Sequence, residues 1–141
     1  MAPPLPLSPT VVLVGHGQSA PSLLAAAEAL VGPIANIAVL SCDHGACCGT
    51  LEGRLREVIA QLAPTTKILF ITDLKGSTPY KLCVAEARRR APYDAAVLCG
   101  LSLPMLLKLT TARGAASTPA ELAGALASTA QRAIDVEVFS P

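Results

Sequence analysis

The sequence predicts an α/β fold, an open and mainly parallel sheet with helices on both faces. Three observations predict it. Short, nearly all-apolar runs rich in Val, Ile and Leu recur along the chain, as strands buried on both faces do. Segments of helical length alternate with them, and that alternation joins parallel strands. Gly-Pro and Ala-Pro breaks and Ser-x-Pro starts punctuate the alternation where helices should end and begin.

The elements follow in order. Residues 1–9 carry Pro3, Pro4, Pro6 and Pro9 and form an irregular lead-in to a single domain over 10–141. TVVLVG at 10–15, with three valines, is the first strand. The Ala/Leu-rich stretch 22–31 is a helix ended by Gly32-Pro33, and 34–41 is the second strand. A helix over 50–62 closes at Ala63-Pro64, and KILFIT at 67–72 is the third strand. A helix over 78–91 leads to AAVLCG, the fourth strand, at 95–100. Helices at 103–109 and 118–133 precede a last short strand, VEVFS at 136–140, suited to edge pairing or exchange with a second subunit.

Composition removes several function classes. Hydrophobic residues make up 52% and charged residues 15%, which excludes a disordered chain. Eleven basic against ten acidic residues leave a net charge of +1, so no basic field favours nucleic acid. No Trp and only four Phe or Tyr residues leave little for base stacking. The most apolar stretch, 23–40, is interrupted by Glu28, Gly32, Pro33 and Asn36, which argues against membrane insertion. The N-terminus lacks the basic start and continuous apolar core of a secretory signal. Five cysteines at irregular spacing do not form a secreted disulfide framework. A cytoplasmic domain is the expectation.

In a parallel sheet ligands bind beyond the carboxyl ends of the strands. There the first, third and fourth strands are each followed by a Ser-x-Pro triplet: Ser19-Ala20-Pro21, Ser77-Thr78-Pro79 and Ser102-Leu103-Pro104. On the plain reading these are good helix caps. On the functional one, three helix N-termini converge free N–H groups on an anion, phosphate above all. Neither GxxxxGK[ST] nor GxGxxG occurs, so nucleotide cradles are disfavoured and no cofactor is expected.

His16 follows the first strand between Gly15 and Gly17, and Asp73 follows the third. In the common strand order 2-1-3-4 these two strands are neighbours, so the side chains face each other. A carboxylate on Nδ1 fixes the tautomer and leaves Nε2 as a nucleophile for a phosphoryl group. Its oxygens would meet Gly17 and the segment Gly76, Ser77 and Thr78. The plainer alternative is a loop histidine bonded to backbone. The Gly-His-Gly setting and the matched Asp favour the nucleophile.

The loop SCDHGACCG at 41–49 gathers Cys42, His44, Cys47 and Cys48. A metal site or a redox thiol is conceivable, but the spacing fits no usual zinc pattern. A turn whose cysteines pack as small apolar residues is the reading adopted, and no metal is expected. Cys83 and Cys99 fall in helix and strand patterns and read as core. Arg88-Arg89-Arg90 complements a helix C-terminus, at the far end from the proposed site.

Three segments, VVLVGHGQSAPSLLAAAEAL, LFITDLKGSTPYK and CGLSLPMLLKL, together resemble the enzyme IIA domains of the mannose family of the bacterial phosphoenolpyruvate-dependent sugar phosphotransferase system (PTS). The similarity spans 11–109. It implies an open, mainly parallel sheet with an extra antiparallel C-terminal edge strand, often exchanged within a homodimer. It implies a phosphotransferase in which His16 accepts phosphate from the phosphocarrier protein HPr and passes it to a IIB partner for sugar uptake. The resemblance also has Asp73 orient His16 and Thr78 lie close to the phosphohistidine. The chain departs from the family in having Ser77 where a second glycine is common and Lys75 where an aromatic or apolar residue is common. It also lacks the Asn that many members carry in the segment Leu101-Ser102-Leu103-Pro104. Two alternatives stay open. One is a regulatory phosphoprotein using the same site. The other is a small tetrapyrrole metal chelatase, whose opening VVLVGHG resembles but which needs a histidine beyond His44 that this chain lacks. An α/β-hydrolase elbow is excluded, because the third residue of GHGQS is Gly17 rather than serine.

Overall fold

The structure, a computed structural model, describes residues 8–43, 48–64, 66–114, 116 and 118–141. Four strands, β1 (Thr10–His16), β2 (Ile37–Cys42), β3 (Ile68–Thr72) and β4 (Ala95–Cys99), form a parallel sheet in the order β2-β1-β3-β4. Five helices complete the fold: α1 (Ser19–Val31), α2 (Cys48–Ala60), α3 (Thr78–Arg88), α4 (Leu103–Ala112) and α5 (Pro119–Arg132). The α/β class, the strand order and the helices on both faces are those expected from the sequence.

Side-chain alternation along the central strands divides the core in two. Val11 and Leu13 of β1 with Leu69 and Ile71 of β3 pack against α1, α4 and α5 through Ala20, Ala27, Leu106, Leu109, Leu122 and Leu126. Val12 and Val14 with Ile68 and Phe70 meet α2 and α3 through Leu51, Leu55 and Cys83. Both faces of β1 and β3 are covered, so apolar side chains fill them between the buried threonines Thr10 and Thr72, which is why these strands read as near-continuous apolar runs. The register sets Val14 opposite Leu40 on one side and Thr72 on the other, so β1 runs on past the end of β3, to His16. Among the described residues, no helix is long and apolar enough to cross a membrane.

Several boundaries differ from the sequence expectation, among them the end of α4 at Ala112 rather than at 109 and the span of α2, Cys48–Ala60 rather than 50–62. The second strand begins at Ile37 rather than at 34, because Asn36 adopts φ 59° and breaks the extended run. Ile34 instead donates its N–H to the Glu28 carboxylate at 2.9 Å and packs on the core from the loop. The first helix begins at Ser19, three residues earlier than read, and α3 stops at Arg88. The C-terminal antiparallel edge strand does not form in the single chain. Residues 134–141 are exposed and pair with no strand, and the Val136 N–H that a ladder would use is bonded to the Asp135 side chain at 2.9 Å.

Charged residues tie the periphery at the end opposite the strand carboxyl ends. Arg113 reaches from behind α4 to the carbonyls of Pro9, Ala35 and Asn36, the last at 2.6 Å, and so clasps the starts of β1 and β2. Burial draws its pKa down, yet a guanidinium titrates so high that it stays charged. Arg89 holds the buried Glu86 carboxylate at 2.8 Å, and Arg90 donates to the carbonyls of Pro64 and Thr66. Arg90 therefore secures the end of α3 to the loop before β3. Cys83 is fully buried and Cys99 half-buried. Burial, with the Glu86 charge nearby, pushes the Cys83 thiol up to about 12, so it stays protonated and inert at neutral pH.

Candidate active site

Beyond the pair Val14 and Thr72, the end of β1 and the residue after β3 come into contact. His16, the last residue of β1, is exposed, and Asp73 follows β3 directly. Asp73 Oδ1 lies 2.9 Å from His16 Nδ1, while Oδ2 accepts the His16 backbone N–H at 2.8 Å and the Ser19 hydroxyl at 2.7 Å. Gly17 turns the chain out of β1 with φ +52°, a conformation that favours glycine.

The electrostatics follow from those bonds. Burial pushes the Asp73 carboxyl up, but three hydrogen bonds to the ionised form, from the His16 N–H, the Ser19 hydroxyl and the His16 ring, outweigh it. Its pKa falls below the usual 3.8, so Asp73 is a carboxylate at any physiological pH. A carboxylate only accepts, so in the neutral imidazole Nδ1 carries the ring proton and Nε2 the lone pair. With 45% of its side-chain surface exposed, His16 can present that nitrogen to a group arriving from solvent.

The three Ser-x-Pro triplets do different jobs. Ser102 caps α4 as expected, accepting the Met105 N–H at 3.4 Å. Ser77 stands at the N-cap of α3, yet its hydroxyl and its N–H both donate to Leu74 O, at 2.6 and 3.3 Å, closing a turn in which Gly76 has φ +81°. The hydroxyl therefore does not cap α3, whose first N–H groups, beginning at the exposed Thr78, lack partners within the helix. Ser19 is the first helical residue of α1 rather than its cap, and its hydroxyl is turned onto Asp73.

Of the residues singled out in the sequence, His16 and Asp73 are brought together, and Gly76, Ser77 and Thr78 form the turn that follows Asp73. The Gly17 N–H is bonded to Cys42 O at 3.0 Å, so Gly17 shapes the turn without offering its amide. Ser19 is the site residue that sequence reasoning placed elsewhere. The available signal was a hydroxyl three residues after His16, where the first turn of α1 brings it back over the strand end. Of the cysteine-rich loop, Cys42 ends β2 in register with His16 and is half-buried. His44 and Cys47 lie outside the described residues, as does the side chain of Cys48. Among the described residues, no group of His, Cys, Asp and Glu is arranged to hold a metal.

Comparison with known proteins places this arrangement in context. Residues 10–126 match the family model EIIA-man, described as the PTS system fructose IIA component. The mannose-specific EIIAB component of Escherichia coli (strain K12) is 29% identical over 103 residues, which are 73% of this chain and 31% of that protein. The chain thus spans about a third of the length of that relative. The sorbose-specific EIIA component of Lacticaseibacillus casei is 30% identical over 101 residues, 70% of each protein. Among solved structures, the mannose/sorbose specific IIA subunit from Enterococcus faecalis superposes with a TM-score of 0.84, covering 96% of this chain and 98% of that one. At 23% identity that likeness speaks to the fold.

Proposed function

The chain belongs to the family of PTS fructose IIA components, and we propose on that premise that it is a phosphoryl carrier using His16. It accepts phosphate from HPr and passes it to a IIB partner in sugar uptake. The observation that carries the reading is the 2.9 Å contact between His16 Nδ1 and the Asp73 carboxylate. The Nε2 lone pair attacks the donor's phosphorus; the Nε2–P bond forms as the bond to the donor breaks, and the electron pair leaves with the donor. Attack makes the imidazole ring cationic while its proton stays on Nδ1. Asp73 balances that charge across the hydrogen bond. The phosphoryl oxygens meet the open N-terminus of α3 at Thr78 and the amide of Gly76, where N–H groups and the helix dipole favour an anion. Transfer to the next partner reverses the steps.

The test is incubation with enzyme I, HPr and phosphoenolpyruvate, followed by intact mass. One added phosphate, acid-labile and base-stable, is expected, and it persists in His44→Ala. No added phosphate, or one that survives acid, would overturn the reading.

The carrier acts as a cytoplasmic homodimer in this proposal. Val136, Val138 and Phe139 are 78%, 88% and 81% exposed, and they follow in the chain from Ile134, which with Leu98, Met105 and Ala130 lines a groove of about 440 Å³. An apolar segment of alternating pattern and an uncovered strand edge fit each other, and a second copy supplies both. Sedimentation equilibrium should give a dimer for the full chain and a monomer for one ended at Ile134. A full chain that sediments as a monomer would refute the dimer.

A further inference from the structure

We infer that Ser19 is a positioning residue for His16: its hydroxyl holds Asp73 Oδ2, so that Oδ1 alone faces the imidazole. The inference deepens the phosphoryl-carrier reading and rests on it for its functional meaning. Oδ2 receives two donors from two different elements, the backbone N–H at the end of β1 and the hydroxyl at the start of α1. Rotation of the carboxylate about its Cβ–Cγ bond would break both bonds together. The plane of the carboxylate is therefore fixed, and with it the direction in which Nδ1 must point. With the hydroxyl removed, one N–H would hold Oδ2 and the carboxylate could swing.

Two features show that the contact is built into the fold. The α1 helix begins at Ser19, and its preceding residue Gln18 makes no side-chain cap, so the serine is placed by the helix while its hydroxyl serves Asp73 instead of a backbone N–H. Gly15 lies directly beneath. A Cβ there would collide with the Ser19 hydroxyl and stand 3.2 Å from Asp73 Oδ2 and 3.3 Å from the Ala20 methyl. The first glycine of Gly-His-Gly thus leaves room for the bond between serine and aspartate. Its backbone φ imposes no such need, since Gly15, unlike Gly17 and Gly76, does not have a positive φ.

The test compares Ser19→Ala and Ser19→Thr in the full chain. Alanine is well tolerated in a first helical turn, so the variant should fold, and circular dichroism checks it. In unphosphorylated Ser19→Ala, a carboxyl-carbon NMR titration should show the Asp73 midpoint raised, because a donor to its charged form is gone. Phosphate acceptance from HPr should slow by about tenfold, the worth of one hydrogen bond to a charged group. Ser19→Thr, which keeps the hydroxyl, should restore both. An Asp73 midpoint unchanged in Ser19→Ala, or a threonine variant as slow as the alanine one, would overturn the assignment. Should the wild-type chain take no phosphate at all, the carrier reading fails, while the titration still decides whether Ser19 holds Asp73.

Discussion

His16→Ala is expected to abolish the acid-labile phosphate and to slow phosphoryl acceptance by at least about ten-thousandfold, as loss of a nucleophile does. The fold should survive. The imidazole is 45% exposed and contributes one side-chain hydrogen bond, while the backbone N–H of residue 16 still donates to Asp73. Thermal unfolding should stay close to wild type, which separates lost chemistry from lost structure. A variant that keeps the label would show that the nucleophile lies elsewhere in the chain.

Asp73→Asn should slow the same reaction by about a hundredfold, because a neutral amide cannot offset the charge that develops on the ring. An asparagine can also offer its NH₂ to Nδ1, which would favour the opposite tautomer and remove the lone pair from Nε2. The effect on stability has a defined pH dependence. The folded-state pKa of Asp73 is depressed below 3.8, so its contribution is present above that value and is lost as pH falls through the lower, folded one. The stability difference between wild type and Asp73→Asn should therefore shrink as pH falls below about 4. Denaturant titrations at a series of pH values measure it. A difference that grows as pH falls below about 4 would contradict the assignment of donors around Asp73.

Much of the fold was legible because β1 and β3 are buried on both faces, and burial of that kind leaves continuous runs such as TVVLVG and KILFIT. The pairing of His16 with Asp73 was legible for the same reason. Once β1 and β3 are parallel neighbours, residues at their carboxyl ends lie close together. Ser19 was not, since Ser-x-Pro reads as a cap and only the three-dimensional position of Asp73 shows where the hydroxyl turns. Ser77 misled in the same way, its hydroxyl closing the turn onto Leu74 instead of capping α3. The early start assigned to β2 failed at Asn36, whose left-handed backbone is invisible to an apolar-run argument that counts Ile34 toward the strand. VEVFS carries a strand pattern that the single chain leaves unpaired; a pattern specifies a face to bury and not the partner that buries it.

The reactive atom is one ring nitrogen of His16, and NMR of the histidine ring nitrogens reads it directly. In the free protein His16 should be the Nδ1–H tautomer with a bare Nε2, and after reaction with phospho-HPr the phosphorus should couple to Nε2. Phosphorus on Nδ1, or an Nε2–H tautomer in the free protein at neutral pH, would contradict the account.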